Sequence, residues 1–103
     1  MSNARKKTMG QPVFSFLLFV AGDEPNSMLA KNNLLRICHE HLNGCNDIQI
    51  VDVLQDFSKA IDHGIIVTPT LILMQPEPRV TIYGNLNDTG KVMAALRLKG
   101  DAQ

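Results

Sequence analysis

Tryptophan is absent, tyrosine occurs once, and only two cysteines, Cys38 and Cys45, are found in 103 residues. A chain of this length that is 45% apolar has room for one core and needs no covalent staples. Its sparse cysteines therefore point to a reducing, cytoplasmic setting and away from a structural disulfide. Net charge is lacking as well, because ten basic and ten acidic residues cancel. Without a large field of one sign, a continuous grip on nucleic acid is disfavoured. The longest apolar run, Val13 to Ala21, is interrupted by Ser15 and is about half the roughly 20 residues that a membrane-spanning helix requires. Met1 to Gln11 carries Arg5, Lys6 and Lys7 but not the apolar stretch of a secretory signal. We read residues 1–11 as a flexible basic tail, 12–100 as a single domain and 101–103 as a flexible end.

What is present has the pattern of an α/β domain. Val13 to Val20 is β-branched and aromatic, and its nearly continuous apolarity predicts a central strand covered on both faces, closed by Ala21-Gly22. After Asp23-Glu24-Pro25, Asn26 or Ser27 is placed to cap a helix, with Ser27 favoured. Met28, Leu34, Leu35, Cys38 and Leu42 mark its apolar spacing, and Asn43-Gly44 its end. Ile48 to Val53 reads as a second strand. A strand, a helix and a strand within about 40 residues form a right-handed parallel crossover. Asp56 to His63 predicts a two-turn helix stopped by Gly64.

Ile65-Ile66-Val67 then enters a strand, Leu71 to Met74, through Thr68-Pro69-Thr70. Proline donates no backbone hydrogen bond and tolerates a cis peptide, so a proline at a strand's first residue shapes a turn. Gln75-Pro76-Glu77-Pro78 makes a hairpin connection to a returning strand, Arg79 to Tyr83, before Gly84. Lys91 to Lys99, with Val92, Ala95, Leu96 and Lys99 on one stripe, predicts a last helix stopped by Gly100. The order is β-α-β-α-β-β-α, a thioredoxin-like topology with a mixed four-stranded sheet flanked by helices.

Catalytic chemistry finds little footing. A thioredoxin-type oxidoreductase needs a thiolate at the start of the first helix and a resolving cysteine three residues on. Those positions hold Asp23, Glu24, Pro25, Asn26 and Ser27. Cys38-His39-Glu40-His41 and Cys45 contain zinc-type ligands, but adjacent helical residues point about 100° apart and cannot converge on one ion. We therefore assign no metal and no cofactor. Cys38 reads as a core residue and His63 as a helix-end residue favoured by the dipole. The turn from Gly22 to Ser27 has one glycine and no lysine, so it is no phosphate loop. Lys31 and Arg36 on the first helix, and Arg79 and Tyr83 on the hairpin, are exposed-type residues of the sort found at interfaces. Asp52, in an otherwise apolar strand, reads as a hydrogen-bonded or edge-facing carboxylate, since burying it unpaired would be costly.

Four blocks in order resemble the KaiB family. They are Val20-Ala21-Gly22-Asp23-Glu24-Pro25-Asn26-Ser27, Ile50 to Leu54, Thr68-Pro69-Thr70-Leu71, and Gly84-Asn85-Leu86 followed by Lys91-Val92. The resemblance runs from Phe16 to Leu98 and makes Gly22, Pro25, Asn26, Ser27, Thr68, Pro69 and Gly84 structural positions. It implies a non-catalytic regulator that binds a KaiC-like ATPase hexamer in a nucleotide-dependent way, in a clock or a stress response, and it leaves Asp52 open as a partner contact. Similar domains also serve as sensory modules of histidine kinases, so an adaptor or sensor role in such a pathway is the alternative. Leu29 and Gln49 stand where typical clock members carry basic residues, which makes a KaiA-like partner doubtful. The resemblance also implies two folded states, one of them tetrameric, and the oligomeric state, monomer, dimer or tetramer, stays open. Ala95 and Arg97 replace a glycine and an acidic residue near the end. Alanine gains roughly 1 kcal/mol over glycine in a helix, and a cation favours a last turn. The thioredoxin-like state is thus expected to dominate even without a partner.

Overall fold

The computed structural model describes residues 13–42 and 46–98. Its elements are β1 (Phe14–Val20), α1 (Pro25–His41), β2 (Asn46–Asp52), α2 (Phe57–Asp62), β3 (Thr70–Gln75), β4 (Val80–Tyr83) and α3 (Thr89–Ala95). This is the expected order. The strands form one mixed sheet, β2-β1-β3-β4, in which β1 and β2 are parallel and the other pairs antiparallel. The basic tail, the Asn43-Gly44 stop, Cys45, Lys99, Gly100 and the 101–103 end lie outside the described residues.

Alternation along the strands sorts the core into two layers. Phe16, Leu18 and Val20 of β1, with Leu71 and Leu73 of β3, face α1 and α3, where Ala30, Leu34, Ile37, Cys38, Val92 and Leu96 complete a cluster. Leu17, Phe19, Val51 and Ile72 face the other way, and α2 covers them with Ala60. One face thus receives a 17-residue and a seven-residue helix, the other only a six-residue helix.

The start of α1 differs from expectation. Glu24, not Asn26 or Ser27, is the cap: its carboxylate accepts from the Ser27 N–H at 3.0 Å, and Pro25 fills the first helical position, where a missing N–H costs nothing. Ser27 instead turns inward, fully buried, and its Oγ accepts from the Ala21 N–H at 3.0 Å. The buried stripe of α1 is Ser27, Ala30, Leu34, Ile37 and Cys38, which leaves Met28 and Leu35, expected in the core, 39% and 53% exposed. Small side chains at positions 27 and 30 let the helix sit close on β1, and this sets its rotation.

The β4–α3 connection is tied to α1 by polar side chains. Asn33 donates to Asn85 O at 2.9 Å, Asn85 donates to Asn26 Oδ1 at 3.2 Å, and Arg36 donates to Thr89 Oγ1 at 3.0 Å. Asn85 Oδ1 also accepts from the Asn87 N–H, and Asp88 caps α3 by accepting from the Lys91 N–H.

The end of α3 is a second correction. The helix stops at Ala95, with Leu96 as its cap, and Arg97 lies beyond it at φ +62°. Arg97 therefore occupies the left-handed position that usually takes glycine, and no cation stands in the last turn. The dipole gain expected of Arg97 does not arise, whereas Ala95 is helical as expected. Because a left-handed backbone costs an L-residue roughly 1–2 kcal/mol, Arg97→Gly should raise stability by about 1 kcal/mol in urea unfolding. A destabilising result would show that the Arg97 side chain makes up for its strain.

Candidate functional site

α2 is too short to cover its face of the sheet, and the chain around it is apolar. Ile66 is 91% exposed, Leu54 72%, Phe57 68% and Tyr83 66%, with Ile61 and Val67 also exposed. Isolated exposed apolar residues need no explanation, but a contiguous set does. Phe57, Ala60, Val53, Ile65, Ile66 and Thr68 line one shallow cavity of about 190 Å³. Ile66, Val67, Gly64 and Tyr83 line a second of about 290 Å³. Ile66 is common to both, so the surface runs unbroken from α2 across the α2–β3 loop to the end of β4.

Local structure holds these groups outward. Gly64, at φ +68°, ends α2, and the Ile65 N–H returns to Ala60 O at 2.9 Å. The loop then reaches the cis Thr68-Pro69 peptide, with Pro69 buried. Thr70 Oγ1 donates to Val67 O at 2.7 Å, and the Gly84 N–H donates to Pro69 O at 3.0 Å. Tyr83 pairs with Thr70 in the β3–β4 ladder, which aims its ring to the α2 side, beyond the reach of α2. His63 stands half-buried behind the loop, its ring centroid 5.5 Å from that of Phe19 and its Nδ1 3.1 Å from Lys59 O, the arrangement of an Nδ1–H donor.

Asp52 builds the adjoining corner. Its Oδ1 accepts from the N–H groups of Gly22 and Leu54, each at 3.0 Å, and so joins the β1–α1 turn to the chain leaving β2. Gly22 sits at φ +54°, and a Cβ there would come within 3.2 Å of Leu54 Cδ1. Glycine at position 22 thus lets the Leu54 side chain lie over the turn.

Of the residues singled out from the sequence, Tyr83 lies on this surface and Asp52 supports it. Arg79 is at the opposite end of β4, about 13 Å from Tyr83 at 3.3 Å per residue. Lys31 and Arg36 belong to α1 on the far face of the sheet, and Arg36 is engaged with Thr89, Asn33 and, at 3.5 Å, Glu40. Leu54, Phe57, Ile61, Ile66 and Val67 were not singled out. Their signal was present: Phe57 and Ile61 are one helical turn apart beside Ala60, and three apolar residues fill a loop that proline closes before β3 begins.

Among the described residues, no group for redox or metal chemistry is assembled. The N-terminal turn of α1 faces solvent with Asp23 and Glu24 and carries no thiol. Cys38 is buried in the core, where loss of solvation pushes its thiol up to about 11, far from a reactive thiolate at neutral pH. Among the described residues no three His, Cys, Asp or Glu side chains stand close enough to hold a metal ion. No described helix is long and apolar enough to cross a membrane.

Comparison with known proteins decides the family. Residues 17–98 match the family described as KaiB domain. The chain belongs to the KaiB family. It is 38% identical over 79 residues to the circadian clock protein KaiB3 of a Synechocystis strain, covering 77% of this chain and 78% of that protein. It is 37% identical over 99 residues to the circadian clock oscillator protein KaiB of a Prochlorococcus marinus strain, covering 96% and 87%. Among solved structures, the N-terminal domain of Synechococcus elongatus SasA has a TM-score of 0.68 at 22% identity over 89% of this chain and 90% of that one. Oxidised mitochondrial thioredoxin 3 of Saccharomyces cerevisiae has 0.66 at 15% identity over 94% and 89%. At those identities the structures establish the fold: this KaiB-family chain is thioredoxin-like. The family match includes the whole apolar surface from Leu54 to Tyr83.

The Glu24 cap adds a pH dependence. N–H groups of Ser27 and Asn26 hydrogen-bond its carboxylate and lower its pKa below the ordinary 4.5. A depressed native pKa contributes stability above the unfolded value that is lost as pH falls through the native one. Glu24→Gln should flatten the decline in stability below about pH 4.5 while leaving the neutral-to-alkaline profile parallel to wild type, measured by urea unfolding across pH. An unchanged acid limb would remove Glu24 from the capping role.

Proposed function

We propose that this chain is a non-catalytic regulatory protein that binds a KaiC-like ATPase hexamer in a nucleotide-dependent way, docking through the apolar surface formed by Phe57, Ile66, Val67 and Tyr83, next to which in the chain Leu54 and Ile61 are also exposed. The observation that carries the proposal is this contiguous apolar surface on a KaiB-family fold. Aromatic and large aliphatic groups at the centre of a contact supply most of its energy, and Phe57, Ile66 and Tyr83 are free to do so. Membership of a family whose relatives are named for the circadian clock supports the choice of partner. The protein works in the cytoplasm, in the thioredoxin-like state described above, with the tie through Asn85 and the helical Ala95 favouring that state in the free chain.

A KaiA-like third protein is no part of the proposal, because exposed Leu29 and Gln49 offer it no cation. A histidine-kinase pathway is the alternative partner system, and the same binding experiment separates the two.

Size-exclusion chromatography with light scattering, run with a KaiC-like hexamer plus ADP or a slowly hydrolysed ATP analogue, should show a complex that is lost when the nucleotide is changed. Ile66→Asp, at a position open to solvent, should leave the far-UV circular dichroism unchanged and weaken the complex at least about tenfold, the loss typical of a central contact. Lack of a nucleotide-dependent complex, alongside binding to a histidine kinase, would transfer the function to the alternative. Tight binding by Ile66→Asp would move the docking site elsewhere.

A further inference from the structure

Among the described residues, the end of the apolar surface formed by α2 and the β1–α1 turn is bordered by acidic side chains, although the chain as a whole is neutral. Asp23 and Glu24 occupy the β1–α1 turn beside Leu54, which lies over Gly22. Asp56 caps α2 immediately before Phe57, and Asp62 follows Ile61 at its end. All four acidic residues are exposed. Lys59 is the cation of α2; at 100° per residue it lies about 160° around the helix from both Phe57 and Ile61, on the opposite flank, with Asp62 between that flank and Ile61. Beyond Tyr83, Lys91 lines a cavity in company with Asp88, so that end of the surface carries charge of both signs. The described arginines stand away from it: Arg36 is tied to Thr89, Arg79 is at the far end of β4, and Arg97 follows α3.

An apolar contact with an acidic margin discriminates by charge. A partner with acidic groups around its own seat would bring like charges together as water is expelled, whereas a basic margin is drawn in before contact. We infer that the docking face of the partner is an apolar seat rimmed by Lys and Arg side chains, steered onto this surface by Asp23, Glu24, Asp56 and Asp62. The inference rests on the preceding reading, that a KaiC-like ATPase binds here, and adds the chemistry of the ATPase's face. Because the four carboxylates border the contact and remain near water, they act on the association rate and its salt dependence more than on the lifetime of the complex.

Asp23→Lys/Asp62→Lys tests this, since both positions are exposed and neither caps a helix. Association and dissociation rates with the nucleotide-bound hexamer are measured at about 50 mM and about 500 mM salt, spanning weak and strong screening. The wild-type association rate should fall about tenfold across that range, and the double variant should associate at least about tenfold more slowly at low salt yet match wild type at high salt. Dissociation should change little. Equal or faster association of the double variant at low salt, with Ile66→Asp still defective, overturns the basic rim and leaves the docking site in place. A wild-type protein that binds no such hexamer overturns both.

Discussion

β1 is hydrogen-bonded on both edges and covered on both faces, and the rest of the domain is arranged around it. Phe16, Leu18 and Phe19 are essentially without solvent contact, and each such side chain is worth roughly 1.5–3 kcal/mol when removed from water. Because successive residues point to opposite faces, a slip of one position would exchange the contents of the two layers. Register is fixed by parallel pairing to β2 and antiparallel pairing to β3, with one irregularity between Ser15 and Phe16 where the chain enters the sheet. A strand so constrained makes a rigid reference for the loops at its C-terminal end, and there Ala21, Gly22 and Asp52 join β1, α1 and β2 through backbone donors.

The two faces of the sheet are covered unequally, and the unequal cover leaves the apolar surface exposed. α1 and α3 together span the face of Phe16 and Leu18, with Arg36 joined to Thr89 and the Asn26–Asn85–Asn33 ties holding the β4–α3 connection to α1. On the other face six residues of α2 protect Leu17, Phe19 and Ile72 but cannot extend over the α2–β3 loop or the end of β4. The uncovered positions are filled with Phe57, Ile66, Val67 and Tyr83, where polar residues would satisfy solvent at no loss to the core. Exposed apolar side chains at such a margin raise the risk of aggregation and contribute nothing to folding, and it is on this ground that the docking role is proposed.

Much of this was legible in the sequence. The continuous apolarity of residues 13–20 identifies a central strand, and its length alone separates it from a membrane span. Asp56 ahead of a short apolar-spaced segment, Gly64 after it, and Pro69 at the mouth of β3 mark their elements because each carries a local backbone requirement. What was not legible depends on packing. Ser27 is polar by type, yet it is buried because the Ala21 N–H needs an acceptor there, and this rotates α1 so that Met28 and Leu35 face water. The end of α3 was placed too late because residues 96–98 are good helix formers, while the left-handed turn at Arg97 uses a residue that seldom adopts it. The apolar surface was missed for a related reason: Ile65 to Val67 has the composition of a strand, and only the brevity of α2 and the turn at Gly64 leave Ile66 in solvent.

For the proposed docking, the hydrogen bonds that hold the loop matter as well. Ordering a side chain or loop on association costs free energy that must be recovered from contact, so a surface already fixed in its bound shape binds more tightly for the same area. Ile65 is held to Ala60, Val67 to Thr70, and Pro69 to Gly84, which places one tie on each side of Ile66 and one at the base of Tyr83. The exposed groups are therefore apolar knobs on a braced support. The backbone chemistry of Thr68-Pro69-Thr70, on a fold shared with thioredoxins, here holds apolar side chains outward, while the thiol that thioredoxin-type catalysis would require is absent from the start of α1 and the one described cysteine is sealed in the opposite layer.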